Sequence, residues 1–402
     1  MSWDVAVVGG GPAGAATALH LARRGFAVCL LDRARFPRDK ACGEFLSPGA
    51  TPILADLGVR ERMEAAGARR VSRVRIAAHG EPPLDLTFPD GGDAPPWGYS
   101  LSRRRLDAIL VAAAASAGAE IRTGIQVDGL VRSGGVVAGV RARPEGGEEE
   151  ELRARIVVGA GGRNCPVARE LGLQRRARSR RYDLLAHWTA GGEIPSVCEL
   201  HVGVDGYVAA APVEGGRVNV NCVLPQARLR ETRDPEAAYR RALADHPALE
   251  SWTREAPVEA VSASDVTPLR TTRATADGAL LVGDSALFID PFTGQGIYLA
   301  LRSAALAARV AASALEAGRR DSTALAAYDR MRILELAAKR RVSQALQAIL
   351  FRPRLTRQVI RALRADPVLA GSLAAVTGDL APARRVWSIA YGGRLARVAL
   401  GA

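Results

Sequence analysis

Cysteine is scarce and unpatterned. Its five copies, Cys29, Cys42, Cys165, Cys198 and Cys222, are odd in number and contain no C-x-x-C pair, which excludes a paired zinc site and a disulfide framework and suits a reducing compartment. Histidine is limited to five residues, with no metal cluster and nothing resembling a Ser-His-Asp order. The opening MSWDVAVVGG lacks a basic region followed by an apolar run and a small-residue cleavage site, so no secretion signal is expected. Helical stretches rich in Ala and Leu, such as Ser303 to Leu315, carry charges and fall short of the ~20 uninterrupted apolar residues of a membrane span. Zinc-finger spacing, RNP-type aromatic motifs and internal repeats are also missing, so nucleic acid is not an expected partner. These absences lead to the expectation of a soluble, cytoplasmic protein.

What is present is a large apolar fraction, 48% of 402 residues, enough for a sizeable core and two or three structural units. The net charge of +13 is unevenly spread: residues 331–402 hold thirteen Lys and Arg against Glu335, Asp366 and Asp379. A solvated helix face is the first reading of that tail, and peripheral contact with an anionic membrane surface the second.

Asp4 to Val8 is an apolar run, Pro12 to Arg24 reads as a helix closed by Gly25, and Ala27 to Leu31 is a second strand ending on Asp32. Between the first two lies Gly9-Gly10-Gly11-Pro12-Ala13-Gly14, a G-x-G-x-x-G turn in a β-α-β unit. Gly9 permits the tight turn, Gly11 lets backbone approach a diphosphate, and Gly14 allows the helix to pack closely. The helix N-terminus offers positive potential to phosphate, and Asp32 can accept hydrogen bonds from a ribose 2′-hydroxyl. The group implied is the ADP moiety of FAD or NAD.

A second corner lies far downstream. Leu280 to Asp284 is a strand ending in Gly-Asp, followed by Pro291-Phe292-Thr293-Gly294-Gln295-Gly296-Ile297 and a long helix. Asp284 can accept from ribityl hydroxyls, the glycines leave room for a flat ring, and the helix start directs N–H groups and its positive end at that ring. Between the corners, residues 182 to 268 read as short alternating strands: Leu184 to Thr189, Val197 to Val202, Tyr207 to Ala211 and Arg217 to Val223. His187 and His201 fall there and are assigned no role, since lone histidines usually satisfy local hydrogen bonds.

GGGPAG, GDSALFIDPFTGQGI and LSRRRLD together resemble the FAD-dependent group A monooxygenases and the geranylgeranyl reductase family over about residues 4 to 310. The resemblance implies FAD as cofactor. It places Gly9, Gly11, Pro12, Ala13, Gly14, Asp32, Arg33, Arg103, Val127, Asp284, Pro291, Gly294, Gln295, Gly296 and Ile297 around it. Arg103 matches the position that reaches the phosphate or ribityl region, with Arg104 and Arg105 as competitors. Phe36 to Glu44, FPRDKACGE, resembles the geranylgeranyl reductase segment that carries a cysteine and a glycine beside the flavin, which puts Cys42 and Gly43 near the ring. Cys42 is a candidate proton donor or a packed apolar residue. Glu44 is a candidate acid, base or substrate contact, or an ordinary salt-bridge residue.

Two departures qualify the resemblance. Where the monooxygenases carry Asp-Gly after the Arg155 to Val158 strand, this chain has Gly159-Ala160-Gly161-Gly162-Arg163. No second strand-flanked G-x-G-x-x-G exists, so NAD(P)H is expected as a transient reductant, with Arg163 and Arg169 as contacts. The flavin-dependent halogenase motif G-W-x-W-x-I-P aligns with Gly206 to Pro212 without either tryptophan, which disfavours halogenation.

The expected fold is α/β: a Rossmann-type FAD-binding domain of para-hydroxybenzoate hydroxylase-like form (1–71, 98–180 and 275–330), an inserted antiparallel substrate sheet (72–97 and 181–274), and a C-terminal helical region (331–402). The expected activity is NAD(P)H-dependent hydroxylation of a hydrophobic aromatic or polyketide-like small molecule. Saturation of C=C bonds in a prenyl or lipid chain is the alternative, favoured by PRDKACGE, and a flavin-binding protein without turnover is the reading of another class.

Overall fold

In the computed structural model, which describes residues 2–176, 180–267, 269–288 and 290–400, five parallel strands make the nucleotide-binding layer. Their order is Ala279–Leu281, Glu150–Gly159, Trp3–Val8, Val28–Asp32 and Glu120–Thr123. Such strands are covered on both faces and so read as continuous apolar runs; all five residues of Val28–Asp32 are buried. The hairpin Ile125–Ser133/Val136–Pro144 extends this sheet along Glu150–Gly159, and the acidic PEGGEEEE run lies at the turn from Val136–Pro144 into Glu150–Gly159. Helices Pro12–Ala22 and Gly296–Glu316 pack together against the layer. Pro268 and Ile289, which fall within segments discussed above, lie outside the described residues.

A second sheet has seven strands in the order Ser262–Asp265, Arg181–Thr189, Arg217–Pro225, Tyr207–Val213, Val197–Val202, Arg73–Ala78 and Leu84–Thr87. Two distant pieces of chain thus share one sheet. It is not wholly antiparallel, as expected from sequence: Val197–Val202 runs parallel to Arg73–Ala78. That seam joins pieces more than a hundred residues apart, where no hairpin forces the strands to reverse.

The C-terminal region is more than a basic tail. Helices Ser322–Leu350, Pro353–Ala365 and Pro367–Thr377 lay Ile360, Leu363, Leu369 and Leu373 against Leu84, Leu86, Leu200 and Tyr207 of the second sheet. Two of its thirteen cations are buried inside the fold rather than solvated. Arg332 donates to the Ala286 carbonyl at 3.1 Å, and Lys339 is paired with Asp379. Gly296–Glu316 is the one helix, among the described residues, long and apolar enough to cross a membrane. Two thirds of its most apolar stretch is buried inside the protein.

Candidate active site

A single cavity of about 720 Å³ runs from the glycine turn, past the start of Gly296–Glu316, to the C-terminal helices. Its first end is built by backbone constraint. Gly9 has φ +110°, and a Cβ there would lie 2.6 Å from the Ala160 carbonyl oxygen; one on Gly14 would lie 1.8 Å from the Gly9 oxygen. Both must be glycine for turn and helix to approach this closely. The helix is capped by Gly11 with no side-chain acceptor and has Pro12 at its first turn, leaving N–H groups for an anion. Asp32 orders the turn as well as facing the cavity: Oδ2 accepts from Gly10 N at 2.7 Å and Oδ1 from Ala34 N at 2.8 Å.

Cations converge on the same end. Arg103 lies along Asp107 in a bidentate pair, both contacts 2.8 Å, and its Nη2 is 3.6 Å from where a Gly11 Cβ would be. Its competitors point elsewhere, Arg104 to Asp39 and Arg105 to Glu214, each about half exposed. Arg38 joins from the FPRDKACGE segment, 3.2 Å from Asp107 and 3.9 Å from Asp32, with Nη1 buried and without a hydrogen-bond partner among the described residues. Lys40 is held below its ordinary value by desolvation and by Arg103, Arg163, Arg38 and Arg33. So dense a cluster, with a guanidinium nitrogen left unpaired, fits a diphosphate.

At the second corner Asp284, Pro291, Gly294, Gly296 and Ile297 line the cavity, as do Gly43 and Val127. Gly294 has φ +66° and a Cβ there would meet Phe45 at 2.7 Å, whereas one on Gly296 would meet none of the described residues within 4 Å: backbone faces open space where a flat ring is expected. Burial raises the Asp284 carboxyl above its ordinary value, against the pull of Arg163, Arg103 and Lys40. Gln295 departs from expectation. It is buried but does not line the cavity; its Nε2 donates to Asp379 Oδ1 at 2.7 Å and to the Val376 carbonyl, because the helix start turns that position toward the C-terminal helices. Arg33 is exposed at the mouth.

Cys42 and Glu44 come together beside this corner. Burial pushes the Cys42 thiol up, with Arg103 opposing, so it is a thiol rather than a thiolate; its Sγ accepts from Glu44 N at 3.4 Å. Glu44 is 3% exposed and sits at φ +56°, a left-handed conformation that costs a non-glycine residue about 1–3 kcal/mol. Oε1 accepts from Arg103 N at 2.7 Å, and Oε2 from Asn219 Nδ2 and His187 Nε2, both at 2.8 Å. His187 also meets Glu259 through Nδ1. Burial alone would lower its pKa, but Glu44 and then Glu259 outweigh it and raise it to about 9.

Sequence reasoning missed Arg38, His187, Asn219 and Asp183. The last is a buried carboxyl on the cavity wall, pushed up to about 6 by burial despite an Asn221 hydrogen bond and Arg163. Arg38 stood inside a segment already singled out. The other three lie on alternating strands, where only the register shows which neighbours they meet.

The residues therefore fit FAD: anion-binding turn and cations at one end, Asp284 and open glycine backbone at the other. Residues 2–344 match the model of the FAD binding domain family. The chain is 32% identical over 349 residues to digeranylgeranylglycerophospholipid reductase 2 of Methanothermobacter thermautotrophicus, spanning 82% of this chain and 83% of that protein. It is also 32% identical over 331 residues to the tryptophan 2-halogenase of Chondromyces crocatus, spanning 76% and 60%. Among solved structures, a flavoprotein/dehydrogenase from Cytophaga hutchinsonii superposes over the whole of both chains with a TM-score of 0.87 at 19% identity, a likeness of fold. The chain belongs to the FAD binding domain family, as an FAD-dependent oxidoreductase related to the geranylgeranyl reductases.

Proposed function

We propose that this enzyme saturates C=C bonds of a long prenyl or lipid chain, with NAD(P)H as the transient reductant. The observation that carries this is the apolar extension of the cavity. Beyond the flavin end its walls are Ile76, Leu84, Leu86 and Leu200 of the second sheet and Leu346, Val359, Ile360 and Leu373 of the C-terminal helices. Among the described residues, none that lines the cavity from the C-terminal helices is charged, and such an apolar wall suits a hydrocarbon chain.

Gly9 to Gly14, Arg38 and Arg103 would hold the diphosphate of FAD, Asp32 its ribose and Asp284 its ribityl chain. FAD bound there supplies two-electron transfer. The chain's own residues do the rest. Gly294 and Gly296 would admit the edge of a flat ring, the start of Gly296–Glu316 would set its positive end beside that ring, and the sheet and helix side chains that line the cavity would keep water from a bound double bond. Similarity to a phospholipid reductase supports this reading over hydroxylation, which ranked first on sequence. Hydroxylation of a flat aromatic compound is the second reading, favoured by Phe45, Phe288 and Phe292 along the cavity.

Anaerobic incubation of the FAD-loaded, dithionite-reduced enzyme with geranylgeraniol separates them. Saturation gives product two hydrogens heavier per double bond without oxygen. A product that forms only in air and gains one oxygen atom overturns the proposal.

A further inference from the structure

We propose that Glu44, His187 and Glu259 form a proton-delivery line from the protein surface to the flavin end of the cavity. The three side chains come from separate parts of the chain: Glu44 from the cysteine-containing loop, His187 from the strand Arg181–Thr189, and Glu259 from the segment before the strand Ser262–Asp265. His187 bridges the two carboxylates through its two ring nitrogens. Glu44 lines the cavity and is almost fully buried, whereas the Glu259 side chain is 42% exposed. One end of the line is thus in water and the other on the cavity wall.

The imidazolium has two N–H donors on different sides of its ring, and each meets a carboxylate, one in the cavity wall and one at the surface; Glu44 also accepts from the Arg103 amide and from Asn219. The loop holds Glu44 at φ +56°, which keeps its carboxyl between the histidine and the cavity. Asn219 also donates to the Cys42 carbonyl at 2.8 Å, fixing the loop on both sides of Gly43.

This inference rests on the double-bond reduction proposed above. Saturating a C=C bond requires a hydride at one carbon, supplied by the reduced flavin, and a proton at the other. Glu44 takes the Nε2 proton of His187 and passes it to that carbon: the Glu44 O–H bond breaks as the C–H bond forms, and the carboxylate is restored. His187, left neutral, regains its proton from water by way of Glu259. Glu44 would be a catalytic residue; His187 and Glu259 act through it. The charged groups that face the imidazole are Glu44, with Arg103 behind it, and Glu259.

The test uses FAD-loaded enzyme, dithionite and geranylgeraniol under anaerobic conditions, across pH 6 to 10. Wild-type kcat is expected to be level to about pH 8 and to fall through about 9 as the imidazolium deprotonates. His187→Gln lowers kcat by about 100-fold with flavin content and KM unchanged. Glu259→Gln, a surface change that leaves folding intact, moves the alkaline fall to lower pH, because one of the two carboxylates that raise the imidazole is gone. A readout independent of turnover is the His187 titration by NMR, expected near 9 in wild type and lower in Glu259→Gln. Wild-type turnover with an unchanged profile in His187→Gln, or a His187 that titrates at 6.5, overturns the line and leaves the reductase reading standing. Absence of saturated product from wild type overturns both.

Discussion

Arg38 is the side chain whose contribution is easiest to isolate. Its Nη2 lies 3.8 Å from where a Gly11 Cβ would be and its buried Nη1 has no hydrogen-bond partner among the described residues, so the guanidinium offers a charge-assisted hydrogen bond to phosphate, about 1.5–3 kcal/mol. Arg38→Ala is therefore expected to weaken FAD binding by about 10- to 100-fold in a fluorescence titration, while Arg104→Ala, half exposed on Asp39, leaves it unchanged. Asp183 is the converse case. Burial raises its carboxyl to about 6, so ionisation costs stability that is absent below the ordinary 3.8, grows through the interval and is complete above 6. Asp183→Asn should raise the melting temperature at pH 8, by the equivalent of ~1–3 kcal/mol, and leave it unchanged near pH 3.5. The glycine turn and Arg103 were legible in sequence because their neighbours are local or fixed by a motif. Asp183 and His187 were not, since a strand's alternation says which face a residue takes but not which carboxylate a partner strand brings to it.

Among elements, the C-terminal helices owe their place to a buried lock. Asp379, at φ +61°, accepts from Ser47 Oγ at 2.6 Å, from Gln295 Nε2 at 2.7 Å and from Lys339. It thereby ties the end of Pro367–Thr377 to the cavity loop, to the start of Gly296–Glu316 and to the middle of Ser322–Leu350. Burial raises its carboxyl, and Lys339, Ser47 and Gln295 oppose that. Asp379→Ala strands the Lys339 charge in the interior and is expected to cost about 3–5 kcal/mol in urea unfolding. Asp379→Ala with Lys339→Met should recover much of the loss. Helices here were readable from apolar spacing. Their packing was not: counting charges in residues 331–402 treats Arg332 and Lys339 as surface groups, and only the partners Ala286 and Asp379 show otherwise.

For the whole molecule, charge and exposure concentrate at one end of the chain. Trp387 and Ile389 are exposed, the latter at 95%, beside Arg384 and Arg385, and helix Ile389–Leu400 adds Arg394 and Arg397. We propose peripheral contact with anionic lipid through this region. The expected outcome is sedimentation with vesicles containing phosphatidylglycerol but not with pure phosphatidylcholine, lost as salt approaches 1 M, where the screening length is about 3 Å. Sedimentation indifferent to both would refute it.

The parallel pairing of Ala279–Leu281 with Glu150–Gly159 sets a timetable. During synthesis the N-terminal β-α-β unit, complete at Asp32, emerges early, yet the strand and helix that complete the prosthetic-group cleft begin only at Ala279 and Gly296. Nascent chains halted before residue 270 should therefore carry no flavin fluorescence, and chains halted after about residue 350 should acquire it.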